Sequence, residues 1–251
     1  MARRPDVKRL AKSAPPWLHP LLRRVATNPT VNRGVRRPRW GNLRRDAPFS
    51  RRAGDRGTTV ERHYADRFLD AHRAHIHGDV LEVGEDRAAR HFGEGVSRTS
   101  IVDISIDNRH ATLVADLGEA GSLPAASFDC AVIVHTLQFV PDVEAALANL
   151  WQSLRPGGHL LVTVPSLGRC DPYAEGTESW RFLEPGLRHA AERALDPAPA
   201  VCTTTTYGNL RAALAALAGI AADELTDDEL ARQDAAYPVV VALAATRPPA
   251  G

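Results

Sequence analysis

The sequence predicts an α/β protein built on a doubly wound, mostly parallel sheet. Three observations predict it. From residue 79 onward, short apolar runs alternate with amphipathic helical stretches. The runs lead into Glu82, Asp103, Asp116 and His135, polar residues of the kind that gather where strands feed a ligand crevice. The stretch Arg155-Pro156-Gly157-Gly158 stops a helix and turns the chain into the next apolar run.

The elements follow in order. Thr58 or Thr59 caps a helix running to about His75, with Val60, Tyr64, Phe68 and Leu69 on one face. Val80–Val83 reads as a short buried strand and Arg87–Phe92 as a short helix. Ser100–Ile104 and Ala111–Ala115 are strands, and Phe128–His135 is a strongly apolar one. Val143–Leu154 is a helix with Val143, Leu147, Leu150 and Trp151 inward. His159–Val164 is the next strand, closed by Pro165. Glu184–Leu195 is helical, Val201–Tyr207 is a Thr-rich strand, and Leu210–Ala222 is an Ala/Leu helix. Thr226 caps a helical stretch through Asp234, and Pro238–Thr246 is a final strand.

The formal net charge of +1 hides an asymmetry. Residues 1–56 carry 14 Arg and 2 Lys against 3 Asp, a net of +13, so the remaining 15 basic and 27 acidic residues give −12. A basic Arg/Pro-rich arm (1–57) therefore precedes an acidic α/β domain (58–251). Within the arm, Trp17 to Val25 could form a short amphipathic helix, and residues 31–57 read as a loop. The arm could wrap the body, or meet an anionic substrate, a membrane surface or nucleic acid. Cys130, Cys170 and Cys202 are scattered and odd in number, which points to a reducing compartment without a disulfide framework. No apolar run approaches the roughly 18 residues of a membrane span, and the Arg-rich start lacks the apolar core of a secretory signal. A cytoplasmic protein is the expectation.

Asp103 lies about 20 residues beyond the first turn, the separation at which an acid accepts hydrogen bonds from both ribose hydroxyls. Asp116 could accept from an adenine amino group while the Leu117 backbone meets a ring nitrogen. Glu85 and Asp86 would repel a pyrophosphate at the first turn. A cationic cofactor with an adenosine and an amino-acid tail suits this acidic rim.

The stretch LPAASFDCAVIVHTLQFVPDVEAALANLWQSLRPGGHLLVTVP, residues 123–165, resembles the second half of a class I S-adenosylmethionine-dependent methyltransferase. With VLEVG (80–84) and ADL (115–117), the resemblance covers about residues 60–246. It implies a Rossmann-like seven-stranded sheet whose last strand inserts antiparallel. It also implies S-adenosylmethionine as cofactor, contacted by Glu82, Gly84, Asp86, Asp103, Asp116, Leu117 and His135. The chain departs from the family's glycine turn, Glu-x-Gly-x-Gly-x-Gly, at Asp86 and Ala88. The Asp86 side chain narrows the space for the methionine end, or binds its α-ammonium, as Glu82 could. Residues 36–69 are similar to a bacterial group of uncharacterised methyltransferases attached to glycan or secondary-metabolite pathways. That group's first loop is also poor in glycine.

Methyl transfer needs alignment of donor and acceptor, and a hydroxyl acceptor can also need a base. His135 is the candidate base; contact with the cofactor and a purely structural role stay open. Arg45, Arg56 and Tyr64 lie in the segment expected to cover the pocket, and arginine suits carboxylate or phosphate. Each arginine could instead be solvated or paired with the body; Arg39 and Trp40 carry the same ambiguity, and Trp40 could simply anchor the arm. Tyr173, Trp180 and Arg181, in the long loop 166–182, are candidate acceptor contacts, while Trp180 and Phe182 could equally be core residues that start the next helix. The expected reaction is O-methylation of a small molecule or glycan intermediate, with an anionic acceptor among the options. A non-catalytic methyltransferase-like scaffold and an RNA methyltransferase are the alternatives. His72, His75 and His77 lack a carboxylate or Cys to complete a metal site, so no metal is expected.

Overall fold

The computed structural model describes residues 15–20, 44, 46–51, 53–170 and 178–250. The chain divides into two compact units, residues 1–46 and 47–251. In the first, Pro16–Leu18 forms a 3-10 turn. Arg39, Trp40, Arg45 and Tyr173 lie outside the described residues. Residues 47–57, read from sequence as part of the arm, fall within the second unit. There Phe49 N–H donates to the Ala218 carbonyl (2.6 Å).

Seven strands form one sheet in the order β3-β2-β1-β4-β5-β7-β6. They are β1 (Gly78–Val83), β2 (Val96–Asp103), β3 (Leu113–Val114), β4 (Phe128–Val134), β5 (Leu154–Pro165), β6 (Val201–Tyr207) and β7 (Val240–Thr246). The first five pair in parallel, and β7 inserts antiparallel between β5 and β6. The strand order reverses between β1 and β4, which places a crevice at their carboxyl ends.

The helices are α1 (Val60–Ala71), α2 (Arg87–Phe92), α3 (Val143–Ser153), α4 (Glu184–Ala194), α5 (Leu210–Ala218) and α6 (Asp227–Ala231). Their starts follow from local chemistry. The Thr59 side chain accepts from Arg62 N–H at α1 and that of Asp142 from Ala145 N–H at α3. Thr226 and Glu229 make a capping box at α6. Helix α5 stops at Gly219, four residues short of the sequence expectation. Gly219 is left-handed (φ 67°), and a Cβ there would sit 2.1 Å from the Ser50 carbonyl oxygen. Strand β5 begins at Leu154 rather than His159, because the Pro-Gly-Gly stretch is absorbed as an irregularity in its pairing with β4.

The sheet buries both faces. Leu81, Ile133, Val162 and Leu243 pack with Leu147, Leu150, Trp151 and Leu187 of α3 and α4. On the other side Val80, Val132 and Leu161 pack with Phe68, Leu69 and Ala88 of α1 and α2. No helix among the described residues is long and apolar enough to cross a membrane.

At the opposite end from the crevice, His159 joins the three histidines noted in the sequence. Its ring lies 4.1 Å from that of His75 and 6.0 Å from that of His77, centroid to centroid. Among the described residues no set of His, Cys, Asp and Glu could hold a metal ion. Burial, with His75, His77 and His72 adding, pushes His159 down to about 4. The unfolded chain therefore binds the extra proton first, near 6.5. Stability from neutral His159 is complete above about pH 6.5 and is lost as pH falls toward 4. A His159→Gln protein is expected to lose about 1–2 kcal/mol less than the parent between pH 7 and pH 4.5, after allowance for solvent screening. Denaturant titrations at the two pH values check this.

Candidate functional site

The crevice holds a cavity of about 900 Å3 at the carboxyl ends of β4 and β5. Its floor carries His135 and Gln138, and its rim carries Arg56, Arg62, Arg169 and Arg181. A second cavity of about 50 Å3 lies beside it over the end of β1, walled by Glu82, Val83, Glu85, Val134 and Leu69. Arg62 and Arg87 line both.

Glu82 ends the buried part of β1 and is itself buried. Its carboxylate accepts from Ala88 N–H and Ala89 N–H, both at 2.7 Å, at the amino end of α2. Burial pushes Glu82 up to about 7 against the pull of those two amides, and the charges of Asp86 and Glu85 push the same way. A cation arriving beside Glu82 would reverse this and favour the carboxylate. Gly84 is left-handed (φ 76°) with nothing within 4 Å of where a Cβ would stand. The turn therefore stays open at its one glycine. Asp86 lines neither of the two cavities and pairs with Arg90 (2.8 Å), a helical i,i+4 ion pair. Arg87 reaches back to α1 and binds Asp66 through two contacts of 2.7 and 2.8 Å.

Asp103 closes β2. Its Oδ1 accepts from Ser105 N–H (2.8 Å) and its Oδ2 from the Asn108 amide (2.7 Å). Asn108 also donates to the Gly84 carbonyl, so it ties the β2 acid to the β1 turn. Asp116 is exposed and its Oδ1 accepts from Gly118 N–H. Ala115 N–H donates to the Asp103 carbonyl, which brings the two acids to one edge. Leu117 is buried, and its carbonyl accepts from Asn149. The exposed Ile104, next to Asp103, offers an apolar face there.

His135 follows β4 with a left-handed backbone (φ 48°), unusual for a residue with a side chain. Its N–H donates to the Thr163 carbonyl and its own carbonyl accepts from the Gln138 amide (2.7 Å). These two bonds hold the strained turn. The Nε2 of His135 and the Oε1 of Gln138 are buried and have no hydrogen-bond partner among the described residues. Burial, then the positive Arg62, push His135 down to about 3, so the imidazole is neutral.

The remaining expected residues divide. Arg181 lines the large cavity but is engaged by the Trp180 and Arg169 carbonyls and by Glu178. Arg56 lines it too and is locked onto Glu224, with Nε donating to Oε1 at 2.8 Å. Trp180 stands outside the lining, half-exposed, its Nε1 donating to the Val140 carbonyl. Tyr64 is a core residue rather than a pocket residue. Its ring is fully buried and its hydroxyl donates to the Leu230 carbonyl (3.2 Å). Sequence reasoning assigned no role to Arg62, Asp66, Arg87, Asn108 or Gln138.

A methyltransferase domain family matches residues 55–196, more than half of the chain. The chain belongs to this methyltransferase family. With its sheet order and antiparallel β7, it is a class I S-adenosylmethionine-dependent methyltransferase, and S-adenosylmethionine is its cofactor. Its fold matches that of an S-adenosylmethionine-dependent methyltransferase of Mesorhizobium loti at a TM-score of 0.51 and 19% identity, over 75% of this chain and 98% of that one. A methyltransferase of Thermotoga maritima matches as well, at 0.51 and 19%, over 75% and 91%. Among curated relatives, the ubiquinone/menaquinone biosynthesis C-methyltransferase UbiE of Methylobacterium nodulans is 31% identical over 132 residues, 45% of this chain and 46% of that protein. The UbiE of Enterobacter sp. is 29% identical over 136 residues, 54% of this chain and 44% of that protein. The chain thus aligns with less than half the length of these relatives.

The site fits the cofactor's chemistry. A buried carboxylate over a small cavity suits an ammonium, and two acids with an exposed apolar side chain suit an adenosine.

Proposed function

We propose that this methyltransferase methylates an oxygen atom of a small molecule or glycan intermediate held in the 900 Å3 cavity. The observation that carries the reading is the junction of the two cavities, both lined by Arg62 and Arg87, with His135 and Gln138 in the lining of the larger one. The cofactor supplies an activated methyl group on a sulfonium, so the protein's task is alignment. Asp103 holds the ribose hydroxyls, Asp116 and the Leu117 backbone meet the adenine, and Glu82 faces the α-ammonium. Gly84 leaves room for the cofactor to pass the β1 turn.

His135 orients the acceptor hydroxyl by accepting its hydrogen bond. The burial that keeps it neutral also makes it a poor holder of a proton. Positioning therefore replaces the base role expected from sequence. Arg181 and Arg56 shape the rim as parts of ion pairs and carbonyl contacts, and an anionic acceptor would have to compete for them.

Transfer of a labelled methyl from S-adenosylmethionine to a panel of sugar, phenol and hydroxy-acid acceptors tests this. The expected product carries an O-methyl group, and His135→Phe lowers the rate about 10–100-fold with cofactor affinity retained. Label found only on carbon or nitrogen contradicts the oxygen assignment.

A further inference from the structure

Methylation of a neutral hydroxyl releases one proton, and a group in the site must take it. His135 accepts the hydroxyl's hydrogen bond but does not keep the proton, because burial, then Arg62, push it down to about 3. Among the described residues the carboxylates lining the large cavity are those of Glu61, Asp66, Glu178 and Asp223. Three of them are committed. Asp66 holds Arg87 through two contacts of 2.7 and 2.8 Å. Glu178 pairs with Arg181 at 3.0 Å. The exposed Asp223 accepts from Thr58 N–H at 2.6 Å, and a Cβ on Gly57 would stand 2.2 Å from the same oxygen.

Glu61 is different. It lies in the first turn of α1, half-buried, directly after the Thr59 cap. Its side chain reaches toward the loop after β5, where a Cβ on Gly168 would stand 3.6 Å from its Oε1. Gly168 has a φ of 141° and carries no side chain to cover the carboxylate. Among the described residues this carboxylate has no hydrogen bond or ion pair, although Arg56, Arg62 and Arg169 line the same cavity. Arg56 is taken by Glu224. A carboxylate without partners on a cavity wall keeps its full acceptor capacity.

We propose that Glu61 is the general base of the reaction: as the acceptor oxygen takes the methyl group, the hydroxyl proton passes to the Glu61 carboxylate. The O–CH3 bond forms as the S–CH3 bond breaks, with the electron pair of the broken bond left on the sulfur. His135 sets the direction of the hydroxyl, and Glu61 is where its proton ends. This rests on the oxygen acceptor proposed above. It also gives the two walls of the cavity separate tasks, positioning on the β4 side and proton removal on the α1 side.

Rate against pH separates a base from a structural acid. The probe is the member of the sugar, phenol and hydroxy-acid panel that the intact protein methylates fastest on oxygen. With it, kcat/KM of the intact protein is expected to stay level between about pH 6 and 8. Glu61→Gln is expected to be about 100-fold slower near pH 7 and to gain about 10-fold per pH unit, because only acceptor already ionised reacts. Its affinity for S-adenosylhomocysteine, measured by calorimetry, stays within about threefold of the parent. Glu61→Asp keeps a carboxylate and recovers a level profile. If the glutamine variant lacks a cooperative melting transition, Glu61→Ala repeats the comparison. An intact protein whose rate already climbs that steeply, or a folded variant with a level profile at any rate, overturns the assignment. No oxygen of the panel methylated by the intact protein overturns the oxygen reading itself, and the base with it.

Discussion

Replacing Asp103 with alanine is expected to weaken S-adenosylhomocysteine binding about 100-fold or more. A carboxylate offers about four acceptor positions, and Asp103 uses two, for Ser105 N–H and the Asn108 amide. Two remain for the ribose hydroxyls. Each charge-assisted hydrogen bond contributes about 1.5–3 kcal/mol, so losing both costs at least two decades of affinity. The fold is expected to survive, because Asp103 ends its strand and its side chain holds only the turn at Ser105 and the Asn108 bridge to the β1 turn. Calorimetric titration of the two proteins, with melting curves alongside, checks both parts. Equal affinities would remove Asp103 from the adenosine site.

Trp151→Ala is expected to cost about 3–5 kcal/mol of stability. The ring is fully buried between α3 and the sheet, and its Nε1 donates to the Pro197 carbonyl (2.9 Å). Truncation opens a large cavity and orphans that carbonyl. Urea denaturation measures the loss directly, and a change below about 1 kcal/mol would contradict the packing described here.

Much of the fold is legible in the sequence because it rests on short-range signals. The apolar runs at 80–83 and 128–134, the Thr-rich run at 201–207 and the caps at Thr59 and Thr226 sit where local chemistry places them. The antiparallel β7 was different: residues 238–246 read only as a strand, and its direction came from the family resemblance. The stop of α5 at Gly219 was hidden, since it depends on Ser50, some 170 positions earlier.

The site was less legible, for the same reason. Glu82, Gly84, Asp103 and Asp116 fall at strand ends, which a strand assignment locates. Whether a charged side chain is free depends on partners remote in sequence. Arg56 finds Glu224 168 positions away, and Arg87 finds Asp66 on another helix. By contrast, the spacing of Asp86 and Arg90 announces their ion pair. Tyr64 carried two conflicting signals, a polar hydroxyl and a place on the apolar face with Val60 and Phe68. Burial decided between them. Arg62, in the first turn of α1 and partly buried, has no sequence mark that separates it from the arginines that stay exposed.

The most direct test of the central claim is a crystal structure of the protein with S-adenosylhomocysteine. The account predicts the ribose on Asp103, the amino-acid end beside Glu82, and the sulfur at the junction of the two cavities, facing His135. A ligand bound elsewhere, or one whose sulfur points away from the 900 Å3 cavity, would contradict it.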